Sequence, residues 1–201
     1  MRISREFFRR DTRTVARELL GQRLVRRHAD GSISVGIVVE TEAYCGYQDA
    51  ACHSYKGKTE RTTVMFGEKG FAYVYLIYGM YNCLNVTSGL PGAPEAVLIR
   101  ALEPIEGLSA METRRGQSKI QSLCSGPGKL CMAMEIDREY NGLDLVTGET
   151  LYFEKGAPPG DITASKRINI DYAGEAADYL WRFSVTGNGF VSVKPKTVKS
   201  F

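Results

Sequence analysis

The 201-residue chain predicts an α+β fold, a single domain over residues 1–201 with a mainly antiparallel β-sheet and surrounding helices. Three observations carry this. Short beta-prone runs recur along the chain and are divided by turn signals such as "ADGS", "SGLPGAPE" and "TGNG", the punctuation of hairpins. Helical spacing is confined to a few short segments, so helices flank the sheet and do not alternate with its strands. A content of 43 % hydrophobic and 24 % charged residues is ordinary for a globular chain, and no repeat, low-complexity tract or linker divides it.

In chain order, Asp11 or Thr12 caps a helix whose Val15, Ala16, Leu19 and Leu20 fall at helical spacing, and Gly21 stands where a left-handed terminal residue belongs. A hairpin follows, with arms Leu24–Arg27 and Ile33–Val39 on either side of "HADGS". The second arm continues as "ISVGIVVETEAY". Strict alternation would put Val38, Glu40, Glu42 and Tyr44 on one face and Ile37, Val39, Thr41 and Ala43 on the other. Residues 45–70 are polar and aperiodic, and a connection of that length in a compact domain marks a binding loop. Strands are expected at 71–77, 81–87 and 96–102, then a helix from near Pro104 through Met111 to Gly116 and a short one from Lys129 to Glu135. Further strands are expected at 149–154, 162–170, 181–186 and 189–194.

Composition excludes several classes. No run of 18 apolar residues occurs, and the charged start "MRISREFFRRDTRTVARELLG" is unlike a secretory signal, so the expectation is a soluble, unexported protein with no membrane partner. Five cysteines at scattered positions favour reduced thiols in a cytosolic or nuclear setting. With no C-x2-C pair, neither zinc nor an iron–sulfur cluster is expected, and no metal or cofactor is assigned. A net charge of +3 is too small to announce a polyanion, although residues 1–27 hold nine arginines against Glu6, Asp11 and Glu18. Ordinary solvated helix faces account for such arginines too. The tail "VKPKTVKS" adds three lysines and no acid.

Four constellations carry chemistry. In an extended "ETE", Glu40 and Glu42 lie roughly 6–7 Å apart on one face, a spacing at which an acid and a base flank a glycosidic bond. Exposed strand acids are common, but this pair closes an apolar strand just before the loop that bears His53. In "CSGPGKLC", a glycine-rich turn runs into a helix start and can aim N–H groups at a phosphate, although the hydroxyl of a nucleotide P-loop is missing after Lys129. In "YVYLIYGMYNCLNV", Tyr73 and Tyr75 share a strand face, whereas Tyr78 precedes Gly79 at a break in the pattern, beside Met80 and Tyr81. A ring in the strand can line a pocket; a ring at a turn tip is an apolar wedge of the kind pushed between base steps.

Six segments in order, "VVETEAY", "AACHS", "YVYLIYGMYNCLNV", "AVLIRALEP", "LCSGPGKLC" and "KRINIDYAGEAADYLWRF", resemble the alkyladenine (3-methyladenine) DNA glycosylases, nearly end to end. The resemblance implies that Glu42 is the general base activating water while Glu40 is a structural neighbour. Arg100 would hold Glu42 and the water, together with the main-chain carbonyl of Ile168. Tyr44, His53 and Tyr75 would enclose a flipped base, with Asn85 placed against a guanine 2-amino group. Tyr78 would intercalate with Met80 beside it, and Thr59, Arg61 and Met65 would touch the DNA backbone or groove near the lesion. Lys129 adds a contact to the DNA backbone.

The implied partner is double-stranded DNA containing a damaged purine, bound by a monomer, in the cytoplasm at the nucleoid if bacterial or in the nucleus if eukaryotic. The implied function is a monofunctional glycosylase that flips alkylated or deaminated purines and leaves an abasic site. A cationic alkylated purine would be attracted to the electron-rich Tyr44 and Tyr75 faces. Two departures stand out: Asn169 replaces a glycine after the Arg-aliphatic pair, and Arg61-Thr62 with "TER" replaces the usual loop residues. Two other readings use the same residues. One is a nucleoside or small-glycoside hydrolase working through Glu40 and Glu42; the other is a non-catalytic damaged-DNA binder that uses the tyrosines as a stacking platform.

Overall fold

A computed structural model describes residues 1–195 and the backbone of residues 199 and 200. Most of the tail lysines lie outside the described residues. The amino-terminal part comprises α1 (Arg5–Phe8), α2 (Thr12–Glu18), β1 (Arg23–Arg27) and β2 (Ile33–Tyr44). After the loop come β3 (Ala72–Ile77), β4 (Tyr81–Ser88), β5 (Glu95–Glu106), α3 (Leu108–Arg115), α4 (Ile120–Leu123) and α5 (Pro127–Met134). The carboxy-terminal part adds β6 (Leu151–Glu154), β7 (Ile162–Ser165), β8 (Arg182–Val185) and β9 (Lys199–Ser200). These strands form one sheet in the order β3-β4-β5-β2-β8-β7-β9, with β1 joining β2 to β6. The architecture is α+β and every strand pairing is antiparallel.

The long strand β2 is the hub. One edge pairs with β5 along its length, while the other pairs with β1 through residues 33–37 and with β8 through residues 40–42. One sheet face carries the main core, where Val38, Ala43, Val74, Leu84, Val86, Val97 and Ile99 pack with Val15, Leu19 and Leu20 of the α2 segment and with Met111, Leu130 and Met134 from α3 and α5. Asp11 caps α2 by accepting the Thr14 N–H at 3.0 Å, and the buried Thr41 hydroxyl donates to Ala16 O at 2.8 Å, tying the helix to β2. Period-two alternation therefore sends Tyr73, Tyr75, Cys83, Asn85, Leu98 and Arg100 to the opposite face.

Strict alternation fails at one place in β2. Val38 pairs with Leu102 and Glu40 with Ala101, so Val39 is an extra residue, and the next step pairs Thr41 with Ile99 and passes over Arg100. Val38 consequently belongs to the core while Glu40, Glu42 and Tyr44 point the other way. The bulge re-aims the strand's second half.

Other boundaries differ from sequence expectation for identifiable reasons. Pro104 is still in β5, opposite Gly36, and the helix starts only after Gly107, whose φ of 77° ends the strand. Helix α5 begins at Pro127, behind a Gly126 with φ 143°. Strand β7 stops at Ser165, because Arg167 and Ile168 make other contacts described below. Residues 189–194 form no strand: the Ser192 N–H donates to Glu40 Oε2 at 2.7 Å and Val193 O accepts from Arg182 at 2.9 Å. The amino-terminal arginines are largely committed within the protein, since Arg5 pairs with Asp144, Arg9 with Glu68, Arg10 with Glu18 and Arg13 with Asp11. Among the described residues no helix is long and apolar enough to cross a membrane.

A close approach outside the sheet gives a direct test of this packing. A Cβ added at Gly156 would lie 1.9 Å from Gly21 O, whereas one at Gly160 meets nothing within 4 Å. Gly156→Ala is therefore expected to lower stability by about 1–3 kcal/mol, read as a lower urea midpoint at unchanged slope. Gly160→Ala should be neutral or gain up to about 1 kcal/mol by restricting the unfolded chain.

Candidate active site

A cavity of about 630 Å³ opens on the sheet face opposite the main core, walled by Tyr44 from β2, Tyr73 and Tyr75 from β3, Asn85 from β4 and Arg100 from β5. The loop over residues 51–65 closes one side, residues 168–170 a second, and the start of α5 a third. Of the residues nominated from the sequence, Tyr44, His53, Arg61, Met65, Tyr75, Tyr78, Asn85, Arg100, Lys129 and Ile168 line this cavity, while Thr59 and Met80 do not.

Glu42 is held most tightly. Its side chain is 0 % exposed. Oε1 accepts the Ile168 N–H at 2.8 Å, Oε2 accepts the Tyr44 hydroxyl at 2.8 Å, and Arg100 Nη1 lies 3.3 Å from Oε2. Ile168 thus meets Glu42 through its amide, whereas the part expected of its carbonyl was to hold a water. Tyr44, Arg100 and Ile168 all line the cavity, so the carboxylate sits one side chain behind the wall. Glu40 is equally enclosed and is the structural partner: Arg182 Nη1 lies 2.9 Å and Arg100 Nε 3.4 Å from Oε1, and the Ser192 amide bonds Oε2. Two guanidinium groups shared among two carboxylates keep this buried set neutral and nearly satisfied. Burial disfavours the charge on Arg100, yet Glu42 and Glu40 raise its pKa above the ordinary value. Burial, followed by Glu42, pushes the Tyr44 hydroxyl upward, so it remains a donor.

His53 is exposed as a residue, but its ring sits at the cavity's mouth, with Nδ1 2.8 Å from the Tyr73 hydroxyl and its centroid 4.6 Å from that of Tyr75. Burial of the ring and the nearby Arg61 bring its pKa down to about 4, which leaves it neutral at physiological pH. Asn85 donates from Nδ2 to Tyr73 O at 3.0 Å within β3–β4 pairing, and so stands fixed in the cavity wall. Asn169 has φ 58°; an asparagine tolerates this left-handed conformation, and the turn at the departure from glycine is kept.

Tyr78 lies at the tip of the β3–β4 hairpin. Its φ is 53° and that of Gly79 is 70°, and Met80 N–H bonds Ile77 O, the pattern of a type I′ turn. A large ring in left-handed backbone is strained, which points to function. Tyr78 is 73 % and Met80 65 % exposed. Lys129 is exposed on the first turn of α5, at the cavity rim. Gly128 lets that turn approach the hairpin: a Cβ there would meet Tyr81 at 3.0 Å.

The loop corrects one nomination. Met65 is 1 % exposed and packs with Cys52, Tyr73 and Ala96; it lines the cavity from below and does not reach a DNA backbone. Thr59 is exposed as expected, and Thr62 is buried because its hydroxyl accepts the Thr59 N–H at 2.9 Å. The substitution in "TERT" therefore closes a turn locally. Arg61 lies over Tyr75, 4.8 Å from the ring centroid, and lines the cavity.

Sequence reasoning missed Arg167 and Asp49. Both side chains are fully buried and form a fork at 2.5 and 2.7 Å. Arg167 also donates to Ala43 O and Ala176 O, and its guanidinium covers the Tyr44 ring at 4.7 Å. Asp49 accepts the Cys45 and Ala51 amides. One ion pair thus ties the end of β2, the loop leading to His53 and the segment carrying Ile168. An arginine and an aspartate 118 positions apart leave no spacing signal. Among the described residues, no group of three or more His, Cys, Asp or Glu is arranged to hold a metal ion.

The profile of the methylpurine-DNA glycosylase (MPG) family matches residues 6–189. Curated relatives bearing the name "Putative 3-methyladenine DNA glycosylase" include one from Clostridium acetobutylicum, 48 % identical over 98 % of this chain and the whole of that protein. A second, from Methanocella arvoryzae, is 53 % identical over 90 % of each chain. A third, from Anaeromyxobacter sp., is 48 % identical over 97 % of this chain and 94 % of its own.

The buried fork carries a stability prediction. Arg167→Met leaves Asp49 charged and unpaired in the interior, and urea unfolding should register a loss of about 3–5 kcal/mol. The double variant Arg167→Met/Asp49→Leu should recover part of that loss.

Proposed function

Because this chain belongs to the methylpurine-DNA glycosylase family and is a DNA glycosylase, we propose that it is a monofunctional enzyme that flips alkylated or deaminated purines out of duplex DNA. It would hydrolyse the N-glycosidic bond and leave an abasic site. The observation that carries the reading is the Glu42 carboxylate, fixed by the Ile168 amide, Tyr44 and Arg100 immediately behind an aromatic-walled cavity.

In this scheme the purine stacks within the cavity against Tyr75 and Tyr44, beside His53 and Asn85, and its sugar lies over Arg100 and Ile168. As the glycosidic bond lengthens, its electron pair leaves with the base and positive charge grows on the sugar. Glu42 stabilises that charge and takes the proton of a water that enters between Tyr44 and Arg100 to attack the sugar carbon. A purine alkylated at N3 or N7 is cationic and leaves as a neutral base without further protonation, whereas a deaminated purine leaves as an anion that takes its proton from solvent water. No step uses an amine nucleophile, so the scheme stops at an abasic site. The cavity is built from one chain, which suits a monomer.

Tyr78 supports a duplex substrate over a free nucleoside. Its ring lines the edge of the cavity yet is 73 % exposed on a strained turn, which is more than a small ligand requires; such a ring fills the gap left in a base stack and offsets part of the few kcal/mol that flipping requires. Lys129, exposed at the rim, and Thr59, exposed on the loop, suit phosphate contacts.

The deciding experiment incubates the protein with duplexes holding 3-methyladenine, 7-methylguanine, hypoxanthine or ethenoadenine, without divalent metal, and scores abasic sites by alkaline cleavage; an intact backbone on all four would overturn the reading. Glu42→Gln is expected to keep affinity for DNA containing an abasic analogue and to slow base release by at least about 10²-fold. Tyr78→Ser should weaken binding to flipped-out sites and leave the salt-sensitive affinity for undamaged duplex nearly unchanged, as measured by titration of the two DNAs in parallel.

A further inference from the structure

The positive charges around the cavity are not equivalent. Arg100 faces Glu42 and Glu40, and Arg167 is forked onto Asp49, so each has its carboxylate. Arg61 makes no ion pair with a carboxylate among the described residues, yet it lines the cavity with its guanidinium 4.8 Å from the centre of the Tyr75 ring. Its influence extends to the neighbouring His53, whose proton affinity it lowers after burial has done so. The second ring is occupied as well, since Arg167 lies over Tyr44 at 4.7 Å and touches the Trp181 ring from 5.1 Å.

A ring attracts a cation through the negative potential of its π faces. A guanidinium already on the ring withdraws that potential and repels a second cation, and the repulsion is strongest where no carboxylate neutralises it. Arg167 is neutralised by Asp49; Arg61 is not. We infer that Arg61 is a specificity-determining residue: its uncompensated charge on Tyr75 cancels the advantage a positively charged purine would have in an aromatic slot, and makes the cavity a site for neutral purines as much as for alkylated cations. Discrimination against an unwanted ligand by a like charge is a recurring device of recognition. Selection for alkylated bases then falls to the ease with which a charged base leaves, and not to its binding. This rests on the reading that the cavity holds a flipped purine.

The test separates charge from shape. In the Glu42→Gln protein, which retains the base, affinities are measured for duplexes holding 3-methyladenine, a cation in DNA, and 3-deaza-3-methyladenine, its neutral counterpart of the same outline. Arg61→Gln is expected to shift the ratio of the two affinities toward the cation by roughly two- to fivefold. Arg61→Met, which keeps an apolar stem on the ring, should do the same, and Arg61→Lys should leave the ratio near that of the parent. A ratio unmoved by both neutral substitutions, with the two affinities falling together, makes Arg61 a phosphate contact and overturns the inference while sparing the proposed function. If neither lesion is bound better than undamaged duplex by the Glu42→Gln protein, the reading of the cavity fails and this inference with it.

Discussion

Two carboxylates buried on one strand face constrain everything around them. An ionised Glu in a protein interior is tolerated only when its charge is paired and its lone pairs are used. Glu40 and Glu42 meet that condition by drawing in Arg100 from β5, Arg182 from β8 and the amides of Ile168 and Ser192. The irregularities of the sheet follow from it. The displaced Val39 and the skipped Arg100 turn the acids away from the apolar core and bring the arginine between them. Strand β7 ends early so that the backbone at Ile168 can reach Glu42, and the segment after β8 leaves the ladder so that Ser192 can reach Glu40. Regular hydrogen bonding has been exchanged for carboxylate solvation.

This explains which parts of the molecule were legible in the sequence. Strands β1, β3, β4 and β5 were readable because their side chains alternate about a single core, and the hairpin at Tyr78 because Gly79 interrupts that alternation. The six ordered segments nominated Glu42, Tyr44, His53, Tyr75, Asn85 and Arg100, and the fold brings these residues to one place. What failed was the backbone wherever it answers a distant charge. A strand over residues 162–170 and another over 189–194 are reasonable by propensity, yet their amides are taken by Glu42 and Glu40, which lie more than a hundred positions away. Local pattern does not encode such a partner. For the same reason Asp49 and Arg167 went unnoticed, and Met65 was placed on the surface although its thioether is needed under the cavity.

The site divides labour between rigid and yielding parts. The side chains that pair with the carboxylates come from the sheet, Arg100 on β5 and Arg182 on β8, while the amides of Ile168 and Ser192 reach them from segments outside the strands. The pieces that meet a ligand first come from the hairpin tip and from the loop over residues 51–65. Arg167 links the two regimes: both terminal nitrogens of its guanidinium are taken by Asp49, Ala43 O and Ala176 O, its Nε is left without a partner among the described residues, and its flat face lies over the Tyr44 ring. A lysine offers neither the fork nor the face. The chain therefore needs an arginine here even though no charge is presented to solvent.

The hydrogen bonds around Glu42 also bear on the kind of chemistry it can support. Glu42 receives an amide, a phenol and a guanidinium, which together hold its charge in one place. It is well suited to facing a growing positive charge, because its own negative charge is preorganised and water is excluded from around it. In the proposed reaction the sugar becomes cationic before water bonds to it, and a water attacking an oxocarbenium ion loses its proton readily. A hydrogen-bonded, enclosed carboxylate is then sufficient as base because most of its contribution is electrostatic, and its donors keep it in position as the glycosidic bond breaks.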